Sequence, residues 1–76
     1  MKFVIEVFDR ETEELRDEIE LPVGCDDQLT RIMGWIEEQR GDEGYNLSTE
    51  QLAKIAQLAG RRLDEPAHLY QLTCNL

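Results

Sequence analysis

Two short runs near the start of the chain alternate between apolar and polar residues, which is the pattern of half-buried β-strands. In the first run, residues 2–8, one face carries Phe3, Ile5 and Val7, and the other carries Val4, Glu6 and Phe8. In the second run, residues 15–21, the apolar face carries Leu15, Ile19 and Leu21, with Asp17 as the exception. The polar segment between the runs predicts a β-hairpin, which Pro22 and Gly24 bring to an end.

A helical period replaces the strand period after the hairpin. Apolar residues recur at the i, i+3, i+4 and i+7 positions of one stripe, namely Leu29, Ile32, Met33 and Ile36. This pattern predicts a helix over residues 27–40, with Asp26 as its N-cap and Gly41 as its end. Residues 41–46 are predicted to form a loop because they combine glycine, acidic and polar residues.

The second helix has the clearest local signal in the chain. Ser48 and Gln51 have the spacing of a capping box, in which each side chain binds a backbone N–H of the first turn. The buried stripe is then formed by Leu52, Ile55, Ala56 and Ala59. Gly60 is expected to end the helix.

Residues 69–76 alternate again and predict a last strand, with Tyr70, Leu72, Cys74 and Leu76 on one face. The predicted element order is therefore β-β-α-α-β, an α+β fold that forms a single domain over residues 1–76. We expect a three-stranded sheet in the order 2-1-3, with both helices packed on one face. The last strand would run parallel to the first.

Acidic residues are unevenly distributed along the chain. The net charge is −9, and residues 1–43 hold 14 of the 17 acidic residues but only five of the eight basic ones. Direct nucleic-acid binding is not expected, because phosphate recognition requires positive charge. The acidity has two interpretations, a general role in solubility or steering toward a basic partner. The chain has no apolar stretch long enough to span a membrane and no signal-peptide pattern, so a cytoplasmic location is expected.

No pattern of catalytic residues stands out. The single histidine, His68, has no local signature that would join it to Cys25 or Cys74, and both cysteines are expected to be reduced thiols. Adjacent carboxylates are so frequent that no pair is informative, and neither a calcium-loop spacing nor a glycine-rich phosphate loop occurs. We therefore expect neither enzymatic activity nor a cofactor or metal site.

Two surfaces are candidates for binding a protein partner. The first is the sheet face away from the helices, where apolar residues would be bordered by carboxylates: Glu6, Phe8, Glu18 and Glu20, with Val4 and Leu69 beside them. The second combines two aromatic residues that often anchor interfaces with an acidic stretch: Trp35, Glu37, Glu38, Asp42, Glu43 and Tyr45. The alternatives are that Val4 and Phe8 are ordinary half-exposed strand residues and that Trp35 closes the edge of the core.

Several segments resemble a family of small, acidic bacterial proteins, and these segments cover nearly the whole chain: FDRETEEL, ELPVGCDDQLTRIMGW, YNLSTEQLAKIAQL and YQLTCNL. The family is similar to the immunity proteins that accompany bacterial toxins. The resemblance implies a protein that binds a basic toxin domain, such as a nuclease, and blocks its active site or substrate path. We expect a monomer or a weak homodimer. The shared motifs are turns, caps and strand ends, so they identify no site residue.

Two other functions stay open at this point. One is an accessory or regulatory module that self-associates or binds another protein through its open sheet face. The other is a small enzyme or metal-binding protein that uses His68, Cys25 and the carboxylates.

Overall fold

Four strands form a single antiparallel sheet in the computed structural model, which describes residues 2–36, 40–41 and 43–75. In chain order the elements are β1 (Lys2–Asp9), β2 (Leu15–Glu20), α1 (Asp26–Met33), β3 (Gly44–Asn46), α2 (Thr49–Ala59) and β4 (His68–Asn75). The strands lie in the order β2-β1-β4-β3. The α+β class and the central position of β1 between β2 and the last strand agree with the sequence prediction.

The core lies between one face of the sheet and the two helices. Ile5 of β1 is fully buried and is in register with Ile19 of β2 and Leu72 of β4. Leu29 of α1 and Ile55 of α2, both also fully buried, pack against this face. The apolar stripes of strands and helices thus meet in one layer, as the alternation pattern predicted.

A β-bulge separates the two ends of the hairpin. Val7 pairs with Asp17, but Phe8 pairs with Leu15, so Arg16 is the extra residue on β2. An extra residue reverses the alternation of side chains on the strand that carries it. The expectation that Leu15 shares the buried face was therefore wrong, and Leu15 lies on the opposite face with 47% of its surface exposed.

The three-stranded sheet was wrong in two respects. A short strand, β3, lies within the segment predicted as a loop, and it pairs with β4 at the far edge of the sheet. In addition, β4 runs antiparallel to β1 rather than parallel to it. The pairing of β3 with β4 is consistent with this direction of β4. β3 ends opposite Gln71, close to where β4 begins. After α2 the chain must therefore return through residues 60–67 before β4 starts, a passage that the sequence prediction did not include.

The first helix is shorter than predicted. It ends at Gly34, which has a left-handed φ of 71° and donates its N–H to the Thr30 carbonyl at 2.9 Å. Glycine adopts this conformation without steric cost, so the helix stops seven residues before the predicted end at Gly41. Cys25 is the N-cap residue, not Asp26, and it makes no side-chain capping bond. Ile36, predicted in the buried stripe, is 97% exposed.

The second helix follows its sequence signals closely. The Gln51 amide N–H donates to the Ser48 hydroxyl at 3.1 Å, and the Ser48 amide N–H donates to the Gln51 side chain at 2.9 Å. The capping box is thus complete, and Gly60 ends the helix in the left-handed conformation. Neither α1 nor α2, the helices of the described residues, has the length and apolar character needed to cross a lipid bilayer.

Loss of the capping box should destabilise the fold measurably. Ser48→Ala removes the acceptor of the Gln51 N–H, so we expect the free energy of unfolding to fall by about 1 kcal/mol. Urea denaturation followed by circular dichroism measures this change. Thr49→Ala, one residue along the same helix, keeps both capping bonds and serves as the control. Equal losses in the two variants would contradict the capping role.

Candidate binding surface on the open sheet face

The face of the sheet away from the helices is formed by alternate residues of the strands. The even-numbered residues of β1 point to it, because its odd-numbered residues Phe3, Ile5 and Val7 belong to the core. Their cross-strand partners on β2 and β4 point the same way. We call this surface the open face. Of the predicted site residues, it brings together Glu6, Phe8, Glu18 and Glu20.

A row of three apolar residues crosses the open face at one end. Phe8 of β1 lies between Leu15 of β2 and Leu69 of β4. Leu15 and Leu69 are 47% and 37% exposed, and Phe8 is half-buried. Side chains directly opposite on neighbouring strands are about 5 Å apart and in contact range. The three residues therefore form one continuous apolar strip.

Two carboxylates that form no salt bridge within the described part of the chain lie next to this strip. Glu6 is directly opposite Glu18, so two negative side chains face each other across the β1–β2 pair. Among the described residues, neither makes a salt bridge, whereas Glu20 binds Lys2 at 3.0 Å. Like charges at directly opposed positions destabilise a sheet. The Glu6–Glu18 pair is thus a local cost to the fold that a positive charge from outside would relieve.

The remaining part of the open face is occupied by contacts within the sheet. Val4 is only 6% exposed, so it is not the half-exposed residue expected from the sequence. It lies between Glu20 and Thr73, and the Thr73 hydroxyl donates to the Val4 carbonyl at 3.2 Å. Further toward β3, the Gln71 amide donates to the Asn46 side chain at 3.0 Å. Glu20 is exposed but paired with Lys2, so the accessible part without a partner within the described sheet is the apolar strip with Glu6 and Glu18.

The second candidate surface has a structural explanation. Trp35 stacks on Phe3 with 6.1 Å between ring centroids and contacts Tyr45 at 5.3 Å, and both Trp35 and Tyr45 pack against the core. The Glu43 carboxylate accepts the backbone N–H groups of Arg40 and Gly41 at 2.8 and 2.9 Å. These contacts support the alternative in which Trp35 closes the edge of the core. Glu37, Glu38 and Asp42 lie outside the described residues.

The groups considered for catalysis do not converge. Burial raises the pKa of Cys74 to about 11, and the nearby Glu43 carboxylate acts in the same direction. Burial also raises the pKa of Cys25, which disfavours the reactive thiolate. His68 and Cys74 lie at opposite ends of β4, six residues apart, or roughly 20 Å at the usual strand rise. Within the described part of the chain, no three acidic, histidine or cysteine side chains are grouped to hold a metal.

Sequence reasoning missed Leu15 as a surface residue. The sequence feature that accompanies the bulge is Asp17, the polar exception on the apolar side of the second run. Asp17 is the first residue after the bulge, and its carboxylate forms an ion pair with Arg61 at 3.4 Å. A break in alternation beside a charged residue was the available signal, but it did not say which neighbour would turn outward.

The fold and the surface define a small α+β domain in which two helices cover one side of an antiparallel sheet and leave the other side open. The model of the family described as "Domain of unknown function (DUF7683)" matches residues 2–73. The chain therefore belongs to that family. No curated protein and no solved structure matches the chain.

Removing one charge of the opposed pair should stabilise the protein. We expect Glu18→Gln to raise the free energy of unfolding by roughly 0.2–1 kcal/mol, because the repulsion from Glu6 is lost. Urea denaturation at low salt measures the gain, which should shrink at high salt, where the charges are screened.

Glu11→Gln is the matched control for this substitution, since Glu11 is exposed in the hairpin turn and undergoes the same change of charge. If both variants gain equally, the benefit comes from the net charge and not from the opposed pair.

Proposed function

We propose that this protein is a non-catalytic binding protein of the immunity type, which neutralises a basic toxin by docking on it through the open face. The observation that carries the proposal is the position of an exposed apolar strip directly beside two glutamates that have no cation among the described residues. The proposed location is the cytoplasm, where such a toxin would be neutralised.

The apolar strip would supply the centre of the contact. Leu15, Phe8 and Leu69 are adjacent on three strands, so a partner side chain placed over Phe8 would also cover its neighbours. Interfaces commonly have an apolar centre surrounded by polar groups. The Phe8 side chain is half-buried between Leu15 and Leu69, so part of its conformational freedom is already lost before binding.

The opposed glutamates would supply specificity for a basic partner. A lysine or arginine placed between Glu6 and Glu18 would replace their repulsion with two attractions. At longer range, the net charge of −9 would accelerate the encounter with a positively charged surface. The same surface would therefore favour fast association and a salt-sensitive complex.

A toxin is the partner favoured by the resemblance to immunity proteins. Toxins that act on nucleic acids need a basic cleft for the phosphate backbone. An acidic protein of this size can enter or cover such a cleft and compete with the phosphates by charge. The acidic hairpin strand β2, with Glu18 and Glu20 on the open face, would be the part presented to that cleft.

Self-association through the open face is the second candidate function. The exposure of Leu15 and Leu69 favours it, because apolar surfaces on two copies could cover each other. However, the Glu6–Glu18 pair of each copy would be brought toward that of the other. We therefore expect a monomer, or a weak dimer that forms only at high salt, in which case light scattering would show a salt-dependent mass.

Charge reversal on the open face should abolish the neutralising activity. The protein is used to capture its partner from the native host, and the captured basic protein is then expressed with and without it to measure growth. We expect Glu6→Lys with Glu18→Lys to remove the protection and to slow association by at least about tenfold.

The control carries the same change in net charge at Glu11→Lys and Glu14→Lys, on the exposed hairpin turn. It should keep the protection and lose only the part of the rate that depends on total charge. Equal loss in both variants would show a diffuse charge effect. Full protection by the Glu6/Glu18 variant, or a captured partner that is not basic, would contradict the proposed site.

A further inference from the structure

A groove of about 950 Å³ lies between α2, the segment 60–66 and the first half of β4. Its apolar lining comes from the helix and from the chain that returns to β4, and includes Leu52, Ala53, Ala56, Leu63 and Tyr70. Pockets that bind small organic molecules have about this size and this mostly apolar lining. The groove shares Asn46, Leu69 and Gln71 with the open face but none of the acidic residues of that face.

The groove exists because β3 is short. It pairs with Gln71, Leu72 and Thr73 only, and the chain then leaves the sheet to begin α2. The beginning of β4 therefore has no strand on that side within the described part of the chain. The Tyr70 hydroxyl accepts the Glu65 N–H at 3.1 Å and holds the opposite wall in place.

Arginine side chains surround this groove in a protein that is otherwise strongly acidic. Arg10, Arg61 and Arg62 line it, against the carboxylates Asp64 and Glu65. The lining thus has an excess of positive charge, although the chain as a whole has a net charge of −9. A ligand carboxylate in the groove would therefore meet Arg10, together with Arg61 and Arg62, which are paired with Asp17 and Asp64.

Arg10 is held at the end of the groove and still has donors to offer. Its Nε donates to the Pro66 carbonyl at 2.9 Å and its Nη2 to the His68 carbonyl at 3.3 Å, while its backbone N–H binds Ala67. It makes no salt bridge with any described residue. A guanidinium has five N–H donors, so most of its hydrogen-bonding capacity remains for a ligand.

The other two arginines are engaged only in exposed ion pairs. Arg61 binds Asp17 at 3.4 Å, and Arg62 binds Asp64 at 2.9 Å. Exposed pairs of this kind contribute little to stability. Either arginine could therefore turn to a ligand carboxylate at small cost.

We infer that this groove is a binding site for a small amphipathic acid, with its apolar chain along α2 and its carboxylate at the arginines. The apolar lining of the groove would bind the ligand's alkyl chain, and the arginines would bind its carboxylate. The site borders the proposed toxin-binding surface at Leu69, but it contains neither Glu6 nor Glu18 and has the opposite charge preference.

Titration with decanoate, below its micellar concentration, tests this site by ¹⁵N NMR and calorimetry. Decanol and decylammonium serve as probes with the same chain and a neutral or positive head group. We expect saturable binding of decanoate, with shifts at α2 and the first half of β4, and weaker binding of both other probes. The variant Glu6→Gln with Glu18→Gln should bind decanoate as the wild type does, which separates this test from that of the open face.

Two pairs of variants test where the alkyl chain and the head group of the ligand bind. Ala53→Trp fills the groove from an exposed helix position and should block binding, while Gln28→Trp, an exposed position on α1, should not. Arg61→Gln with Arg62→Gln should weaken decanoate binding about tenfold and leave decanol binding unchanged. Arg31→Gln with Lys54→Gln, both outside the groove, is the control with the same change of charge.

Three results would overturn the inference. Absence of saturable decanoate binding would exclude the site. Equal affinity for decanoate, decanol and decylammonium would show an apolar surface without selectivity for an acid. Conversion of a dimer to a monomer by Ala53→Trp would show that a second copy of the chain occupies the groove.

Discussion

Ile5 is fully buried at the middle of β1, in register with Ile19 on one neighbouring strand and Leu72 on the other. This three-residue row joins the hairpin to the last strand and provides the surface against which Leu29 and Ile55 pack. A chain of 76 residues buries a small core, and all buried apolar residues of the described part of the chain except Val4 belong to one cluster. Every other feature of the fold depends on β1 remaining central.

The position of β1 also determines what the open face can be. Because alternate residues of a strand point to opposite sides, the strand that forms the middle of the core also forms the middle of the uncovered face. Glu6 and Phe8 are therefore surrounded by partners on both sides and held in fixed positions. The bulge at Arg16 adds Leu15 to that face and completes the apolar strip. The proposed binding surface and the core thus share one strand.

The sequence correctly predicted the elements whose signals lie within a few neighbouring residues. The prediction failed for features that the pairing of strands determines. The Ser48–Gln51 capping box and the end of α2 at Gly60 could be predicted, because both depend on contacts within one helical turn. The end of α1 at Gly34 was missed because the apolar stripe continues to Ile36. The pairing of Tyr45 with Leu72, which defines β3, joins residues distant in sequence. The outward turn of Leu15 depends on the bulge at Arg16, and therefore on the register of the hairpin. For the same reason, the accessible part of the open face could be narrowed to five residues only with the cross-strand register.

The two proposed surfaces differ in the charged residues that they contain. The open face has the opposed carboxylates, and the groove is lined by three arginines. We propose that the acidic character acts at the open face and not over the whole acidic half of the chain. Titration of ¹⁵N-labelled protein with a short arginine-rich peptide tests it most directly. We expect the largest amide shifts at Glu6, Phe8 and Glu18. Equal shifts at the exposed acidic residues of the hairpin turn and at Asp26 and Asp27 of α1 would contradict it.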